Sequence, residues 1–396
     1  MRLNKKNKEL SFDIVVVGAG PIGLAFALGF ANTNIKVGII DKLPKKNIST
    51  PQIDGREIAL THHSIKILEK LKVWNYISKK LTSPIKEARV LDGDSKYFLN
   101  FAHEEIKKDC LGYIVPNYVI KKALYQRLTK IENITLLNNS ECLSVNINNQ
   151  IASLDMIDGK KIKTLLVVAA DSRFSKMRSK MGISAFTRNF KKNMIVCRMK
   201  HEKHHGNIAY EFFRYNQTQA SLPYINNQSG IVTTADKDLT SKLMKMNEKD
   251  FSREMENNFN KSLGKMKLVG KRYSYPMITT YTKKFVSNRF AVIGDAAVGM
   301  HPVTAHGFNL GLKGLDILID ETKRALNNKR DIGLIEVLKN YQSKLHRAAA
   351  PVYLATNSII NLYTSNFLPA KITRQFLLRF VNTISPVKQT FLNILK

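Results

Sequence analysis

The sequence predicts an α/β fold built from discontinuous segments around a parallel sheet, with an inserted antiparallel sheet and a C-terminal helical tail. Three observations carry this. The chain opens on a strand, a glycine-rich turn, a helix and a second strand. Two later apolar runs end, like that second strand, at an aspartate. Between about 185 and 280 the texture changes from continuous apolarity to alternation.

Each element follows from its residues. Phe12-Asp-Ile-Val-Val-Val17 has the unbroken apolarity of a parallel strand buried on both faces. Pro21–Ala31 has helical spacing, and Ile35–Ile40 is a second strand closed by Asp41. Lys163–Ala170 and Arg289–Ile293 read as further strands running into Asp171 and Asp295. From Ala209 to Tyr215 aromatic residues alternate with polar ones, which suggests an antiparallel sheet. The tail beyond 310 reads as helical, with a break at Pro351 and apolar positions at Leu362, Phe367, Phe376, Leu377 and Phe380.

Composition narrows the class. A chain of 396 residues suits one large or two intimate domains, and 44% hydrophobic with 24% charged residues is ordinary globular composition. Disordered, collagen-like and disulfide-stapled classes are excluded. Lys and Arg number 63 against 31 Asp and Glu, a net charge of +32. Such a field favours phosphate-bearing ligands, nucleic acid or an anionic membrane surface, and a lysine-rich background accounts for it equally well. Cys110, Cys142 and Cys197 form no CxxC pair, which points to a reducing compartment without structural zinc. The basic residues 1–10 and the apolar run Ile14–Phe30 imitate a signal peptide. Asp13 interrupts the junction between them, and Gly18, Gly20, Pro21 and Gly23 break the run, so the expected location is the cytoplasm.

The first motif that carries chemistry is Gly18-Ala-Gly20-Pro-Ile-Gly23. Its first glycine permits a tight turn, the second lets the backbone approach a pyrophosphate, and the third lets helix pack on strand. The helix N-terminus then offers unpaired N–H groups and a positive dipole to the phosphates. Asp41 follows Gly18 by 23 positions, about where an acid holds a ribose hydroxyl. A carboxylate there disfavours a 2′-phosphate, hence NADP in this site. The second motif is Arg289-Phe-Ala-Val-Ile-Gly-Asp295-Ala-Ala, continuing through His301-Pro302 to His306-Gly307-Phe308-Asn309-Leu-Gly311. Asp295 is placed to accept a hydrogen bond from a polyol, and the helix opening at Gly307 can offer N–H groups. A plain strand-to-helix connection is the alternative use of that segment.

With Ala170-Asp171-Ser-Arg-Phe-Ser175-Lys-Met-Arg178, these motifs resemble the three signatures of the group A flavoprotein monooxygenases. Arg56-Glu-Ile-Ala-Leu60, Leu71-Lys-Val-Trp74 and Leu111-Gly-Tyr-Ile-Val-Pro-Asn117 make the chain look like the ubiquinone-biosynthesis hydroxylases, nearest the 5-demethoxyubiquinol 5-hydroxylase type. The resemblance implies a Rossmann-like FAD-binding domain over 1–184 and 281–340, with excursions toward the substrate near 75–110. A substrate domain over 185–280 and a helical tail over 341–396 complete it.

The resemblance also implies roles. Asp41 would bind the adenosine ribose of FAD, and Arg56 would sit beside its phosphate and ribityl region. Asp295 would hold the ribityl chain, while Pro302, Gly307, Phe308 and Asn309 would border the flavin. Asp171 would support FAD and a transient reduced nicotinamide cofactor or other electron donor. The implied reaction is ring hydroxylation of a polyprenylated quinol or phenol by O₂ through a C4a-hydroperoxyflavin. The alternatives are hydroxylation or epoxidation of another lipophilic or phenolic substrate, and a basic nucleic-acid-binding protein on a similar fold. The latter lacks a recognition helix or aromatic-laced basic stripe, so no nucleic-acid partner is expected. Peripheral association with the inner membrane or with ubiquinone-biosynthesis enzymes extends the cytoplasmic expectation.

Five positions depart from the family pattern: Ser172 for glycine, Val298 for histidine, Ala305 and His306 in Ala305-His306-Gly307 for Gly-Gln-Gly, and Gly314 for aspartate. His306 is the single candidate for a catalytic role, with helix capping as its other use. The remaining histidines lack metal-ligand spacing, so no metal is expected. The aromatics Tyr210, Phe212, Phe213, Tyr215 and Tyr224 could line a substrate pocket, about half of them facing the other side of the sheet, and Phe213 is the candidate among them. The resemblance implies that Leu222 and Pro223 lie opposite the flavin and line that pocket.

Overall fold

In the computed structural model, residues 9–93, 97–214, 217–301 and 306–364 are described. Pro302, Tyr215 and the tail positions Phe367, Phe376, Leu377 and Phe380 lie outside them.

The strand Glu9–Val17 sits centrally in the first sheet. Lys161–Ala169 lies parallel on one side of it and Val37–Ile40 parallel on the other. Phe290–Val292 extends the sheet beyond the former, and Ile134–Leu137 beyond the latter. Ile14, Val15, Val16, Leu166, Val167 and Val168 have no solvent exposure, as continuous apolar runs in a doubly covered sheet require. The helix Pro21–Leu28 is buried on every side from Gly23 onward. It is shorter than the spacing predicts, because the chain turns at Gly29, whose close approach to Ile319 leaves no room for a side chain. The first strand begins three residues before its expected start, and the other three parallel strands start or end one to two residues from their expected limits.

The second sheet runs through eight strands. Ala185–His201 and Met266–Thr282 pair antiparallel along their length, with Gln228–Asp236, Gln217–Tyr224 and Ile208–Arg214 following. Glu87–Asp92 joins parallel to Ile208–Arg214, so the chain does make an early excursion into this sheet. One face is covered by the helices Lys237–Lys245 and Glu248–Asn258, whose Leu243, Phe251 and Met255 pack on Ile195, Met199 and Phe212. Asp236 and Asn247 cap these helices through backbone amides three residues on. The other face carries Phe213, Leu222 and Tyr224, against Ile85, Leu99, Phe101 and Ile359. A three-stranded sheet, Glu57–Thr61, Gly112–Pro116 and Ser83–Ile85, pairs with neither but packs on this face through Ile85 and Ile114.

The tail differs from expectation at one point. The helix Ile335–Thr364 passes through Pro351 without a break. Proline in a helix interior costs about 3 kcal/mol or more. Packing on both sides offsets it: His346 stacks on Phe285 at 4.2 Å, and Tyr353 lies 4.9 Å from Tyr281.

Candidate cofactor and substrate site

The parallel strands deliver the expected residues to one edge. The Gly18 amide bonds Ile40 O, the Ala170 amide bonds Val17 O, and the Ile293 amide bonds Ala169 O. The glycine turn, Asp41, Asp171 and Asp295 therefore gather at the carboxyl ends of adjacent strands, where α/β sheets bind ligands.

The three glycines divide the work as the motif requires. Gly18 has φ +114, and a Cβ there would sit 2.5 Å from Ala170 O. A Cβ on Gly23 would lie 2.0 Å from Gly18 O. At Gly20 a Cβ would meet nothing within 4 Å, so that backbone faces open space before the helix N-terminus. Ile22 packs on both Gly294 and Gly311, which locks the first motif to the last.

Asp41 is held in place by the turn it serves. Its Oδ2 accepts from the Ala19 amide at 2.6 Å and its Oδ1 from the Leu43 amide at 2.7 Å. A carboxylate has about four lone-pair sites, so capacity for a ribose diol remains. Arg56 Nε and Nη2 both donate to Asp54 Oδ2, at 3.1 and 2.6 Å, and Asn117 Nδ2 donates to the same oxygen at 2.7 Å. Burial would raise the Asp54 carboxyl, but Arg56 and Asn117 overcome it and hold the group below its usual range. Tyr275 lies under the Arg56 guanidinium at 5.6 Å and donates its hydroxyl to Asp54 O. Burial and Arg56 lower the Lys121 ammonium, against the pull of Asp54 and Asp41.

Asp171 Oδ2 accepts from the Met177 amide at 3.1 Å, while its Oδ1 is buried without a hydrogen-bond partner. Ser172 adopts φ +101, a conformation suited to glycine, so the serine there carries strain. Asp295 is not the solitary acceptor the motif suggests. Arg173 Nη2 donates to its Oδ2 at 2.8 Å, while Arg173 Nη1 is anchored on Ile278 O. This pair crosses 122 positions of sequence, and no spacing rule links an arginine and an aspartate so far apart. Arg173 is thus the site residue that sequence reasoning missed, although it stands inside the middle motif.

His306 and Gly307 open the helix His306–Asn327, as expected. Phe308 is partly buried against the main core. Asn309 turns its side chain inward: Oδ1 accepts from the Thr61 amide and Ser64 Oγ, and Nδ2 donates to Ala59 O at 2.8 Å. It ties this helix to the strand that follows Arg56, a bond the sequence does not reveal. On the sheet opposite, Phe213 lines a cavity of about 220 Å³ beside His301. Leu222 packs instead on the neighbouring apolar cluster, and Pro223 is buried off the cavity wall.

These residues fit a dinucleotide: a backbone left open at Gly20, an acid ending the second strand, and a buried unmatched carboxylate oxygen at Asp171. Fold and cradle define an FAD-binding flavoprotein of the monooxygenase class. The chain belongs to the FAD binding domain family, which it matches over residues 11–353. It is 38% identical to the ubiquinone hydroxylase UbiM of Neisseria meningitidis, over 96% of this chain and 84% of that protein. It is 30% identical to the ubiquinone hydroxylase UbiL of Rhodospirillum rubrum, over 96% and 88%, and 26% identical to the 3-demethoxyubiquinol 3-hydroxylase of Escherichia coli, over 84% and 85%. The likeness to the first two therefore exceeds that to the demethoxyubiquinol type. The solved structure of p-nitrophenol 4-monooxygenase PnpA from Pseudomonas putida shares the fold, with a TM-score of 0.79 over 97% of both chains at 13% identity.

Proposed function

We propose that this chain hydroxylates the aromatic ring of a polyprenylated quinol or phenol in ubiquinone biosynthesis, using FAD, O₂ and a transient electron donor. The observation that carries the reading is the convergence of the Gly20 backbone, Asp41, Asp171 and Asp295 at one sheet edge, within a chain similar throughout to ubiquinone hydroxylases. Bound FAD supplies oxygen activation once reduced: one oxygen atom enters the ring and the other leaves as water. The chain's own residues bind, orient and exclude water.

In this reading Asp41 holds the adenosine ribose, and the amides after Gly20 face the pyrophosphate. Arg56, steadied by Asp54 and Tyr275, lies along the phosphate and ribityl region. Asp295 offers its second oxygen to a ribityl hydroxyl while Arg173 fixes the first. Gly307 and Phe308 present main chain to the flavin, and Asn309 sets the angle of their helix. Residues 1–184 with 281–340 form the cofactor unit, apart from the excursion into the second sheet near 75–110, and 185–280 form the substrate unit; of the expected tail over 341–396, the described part to 364 is a helical cover.

The test is direct. The purified protein is expected to carry one non-covalent FAD per chain and to transfer ¹⁸O from ¹⁸O₂ to a prenylated phenol. Asp295→Ala should lower flavin occupancy severalfold. Equal FAD content in mutant and wild type removes the assignment of Asp295, and the absence of ¹⁸O in any prenylated phenol or quinol removes the function.

A further inference from the structure

The segment Asp54–Glu57 carries Arg56, yet each of its residues is held by the second sheet. Tyr275 donates its hydroxyl to Asp54 O, and its ring lies under the Arg56 guanidinium. Gly55 approaches that sheet so closely that a Cβ would lie 2.7 Å from the Tyr273 ring and 3.0 Å from Val196. Glu57 occupies the space above Gly230, where a Cβ would stand 2.5 Å from the Glu57 Cγ. Tyr273 and Tyr275 belong to Met266–Thr282, Val196 to Ala185–His201 and Gly230 to Gln228–Asp236. These strands are neighbours, so the segment lies across the sheet instead of along one strand.

One ion pair fixes the end of this contact. Arg198 Nη2 and Nε both donate to Glu57 Oε1, at 2.5 and 3.2 Å. The Glu57 side chain is 3% exposed, and its Oε2 is buried without a hydrogen-bond partner. Burial raises the Glu57 carboxyl, against the attraction of Arg198. The Arg198 guanidinium in turn lies over the Tyr224 ring, 4.1 Å from its centre, which limits its freedom to swing away. A buried pair of this kind contributes little net stability, because desolvating both charges offsets their attraction. What it supplies is geometry. A carboxylate held by a single arginine sets the strand Glu57–Thr61 at one place on the sheet, and that strand begins one residue after Arg56.

We propose that Glu57 and Arg198 are positioning residues: their pair clamps residues 54–57 to the second sheet and so sets the Arg56 guanidinium for the FAD phosphates before the cofactor arrives. The sheet assigned to the substrate thereby contributes to cofactor affinity, through a guanidinium whose ordering is already complete when FAD binds. This rests on the reading of Arg56 as a phosphate ligand, and the test separates the two.

FAD is titrated into purified apoprotein and followed by quenching of flavin fluorescence, so no turnover is needed. Arg56→Met is expected to weaken FAD about tenfold, the loss of one charge-assisted contact. Glu57→Met combined with Arg198→Met removes both charges at similar volume and leaves no unpaired charge in the interior, so the apoprotein should melt close to wild type. This double variant should weaken FAD about fivefold in the wild-type background, but less than about twofold once Arg56→Met is present. A tie that serves stability alone would lower affinity by the same factor in both backgrounds, and that result overturns the clamp while leaving Arg56 in place. A double variant that melts like wild type and binds FAD as tightly overturns it too. If the double variant melts well below wild type, Arg198→Lys decides instead. It keeps the charge but lacks the planar fork, so FAD affinity should fall with Arg56 present and hold steady without it. Loss in both backgrounds, or in neither, again overturns the clamp. Unchanged affinity in Arg56→Met itself would remove Arg56 from the phosphates, and the clamp with it.

Discussion

At the scale of single residues, the sharpest statement concerns Ser172. Its φ of +101 places a side chain where the backbone suits glycine, and such conformations cost about 1–3 kcal/mol. Ser172→Gly should therefore stabilise the protein by about 1 kcal/mol, read as a higher urea midpoint at unchanged slope. A lower midpoint would mean that the serine hydroxyl contributes more than the strain costs. Arg289 is the converse case, a guanidinium with 1% exposure that bonds Asp331, Leu165 O and Asn149 O. Arg289→Met should cost about 3 kcal/mol, because it leaves those acceptors without their donor. Burial raises the Asp331 carboxyl, but the hydrogen bonds from Arg289 and the Gly333 amide outweigh it and hold the group below its ordinary value. A depressed folded pKa gives stability that is present above the unfolded value near 3.9 and is lost as pH falls through the folded one. Wild type should thus lose stability below about pH 4, and Arg289→Met should lose less over the same interval. Identical acid slopes in the two proteins would dismiss Asp331 as a contributor.

At the scale of elements, the glycine turn and its helix separate stability from binding. Gly23→Ala drives a methyl into the Gly18 carbonyl and should cost about 1–3 kcal/mol, as overpacking does. Gly20→Ala meets no protein atom, so its melting temperature as apoprotein should match wild type. Its FAD affinity should nevertheless fall, because the methyl occupies the approach of the pyrophosphate. Apoprotein melting and FAD titration of both variants decide this. A Gly20→Ala protein with wild-type FAD affinity would move the phosphates elsewhere. The strands, the glycine turn and the opening of the helix at His306 were legible in sequence, because their apolar periods and glycine positions are local. The continuity of the helix through Pro351 was not. It depends on Phe285 and Tyr281, which sit more than sixty positions away and grip the helix on either side of the proline.

At the scale of the whole molecule, the net charge of +32 belongs with the exposed Phe174, Phe186 and Leu354. Among the described residues, no helix is long and apolar enough to cross a membrane. Each basic residue near an anionic surface contributes about 1 kcal/mol, so a modest patch suffices for peripheral attachment. The protein is expected to float with vesicles containing anionic lipid, to ignore neutral ones, and to be released by high salt. Indifference to both vesicle types would assign the charge to background composition.

The sequence by itself determined the class of fold, the dinucleotide turn, and the three aspartates that end neighbouring strands. Those features follow from local rules: a buried strand must be apolar, a tight turn needs glycine, and a strand-ending acid falls at a set distance. Only the tertiary structure decided how the acids are used. It paired Asp295 with Arg173, turned Asn309 away from the cleft onto Ala59 and Thr61, and left one oxygen of Asp171 buried without a partner. It also gathered Arg188, Lys192 and His301 around one cavity. The pairs Arg173–Asp295, Asn309–Ala59 and Asn309–Thr61 join residues far apart in sequence, and their geometry is set by how the sheets and the long helices pack, which no local pattern encodes.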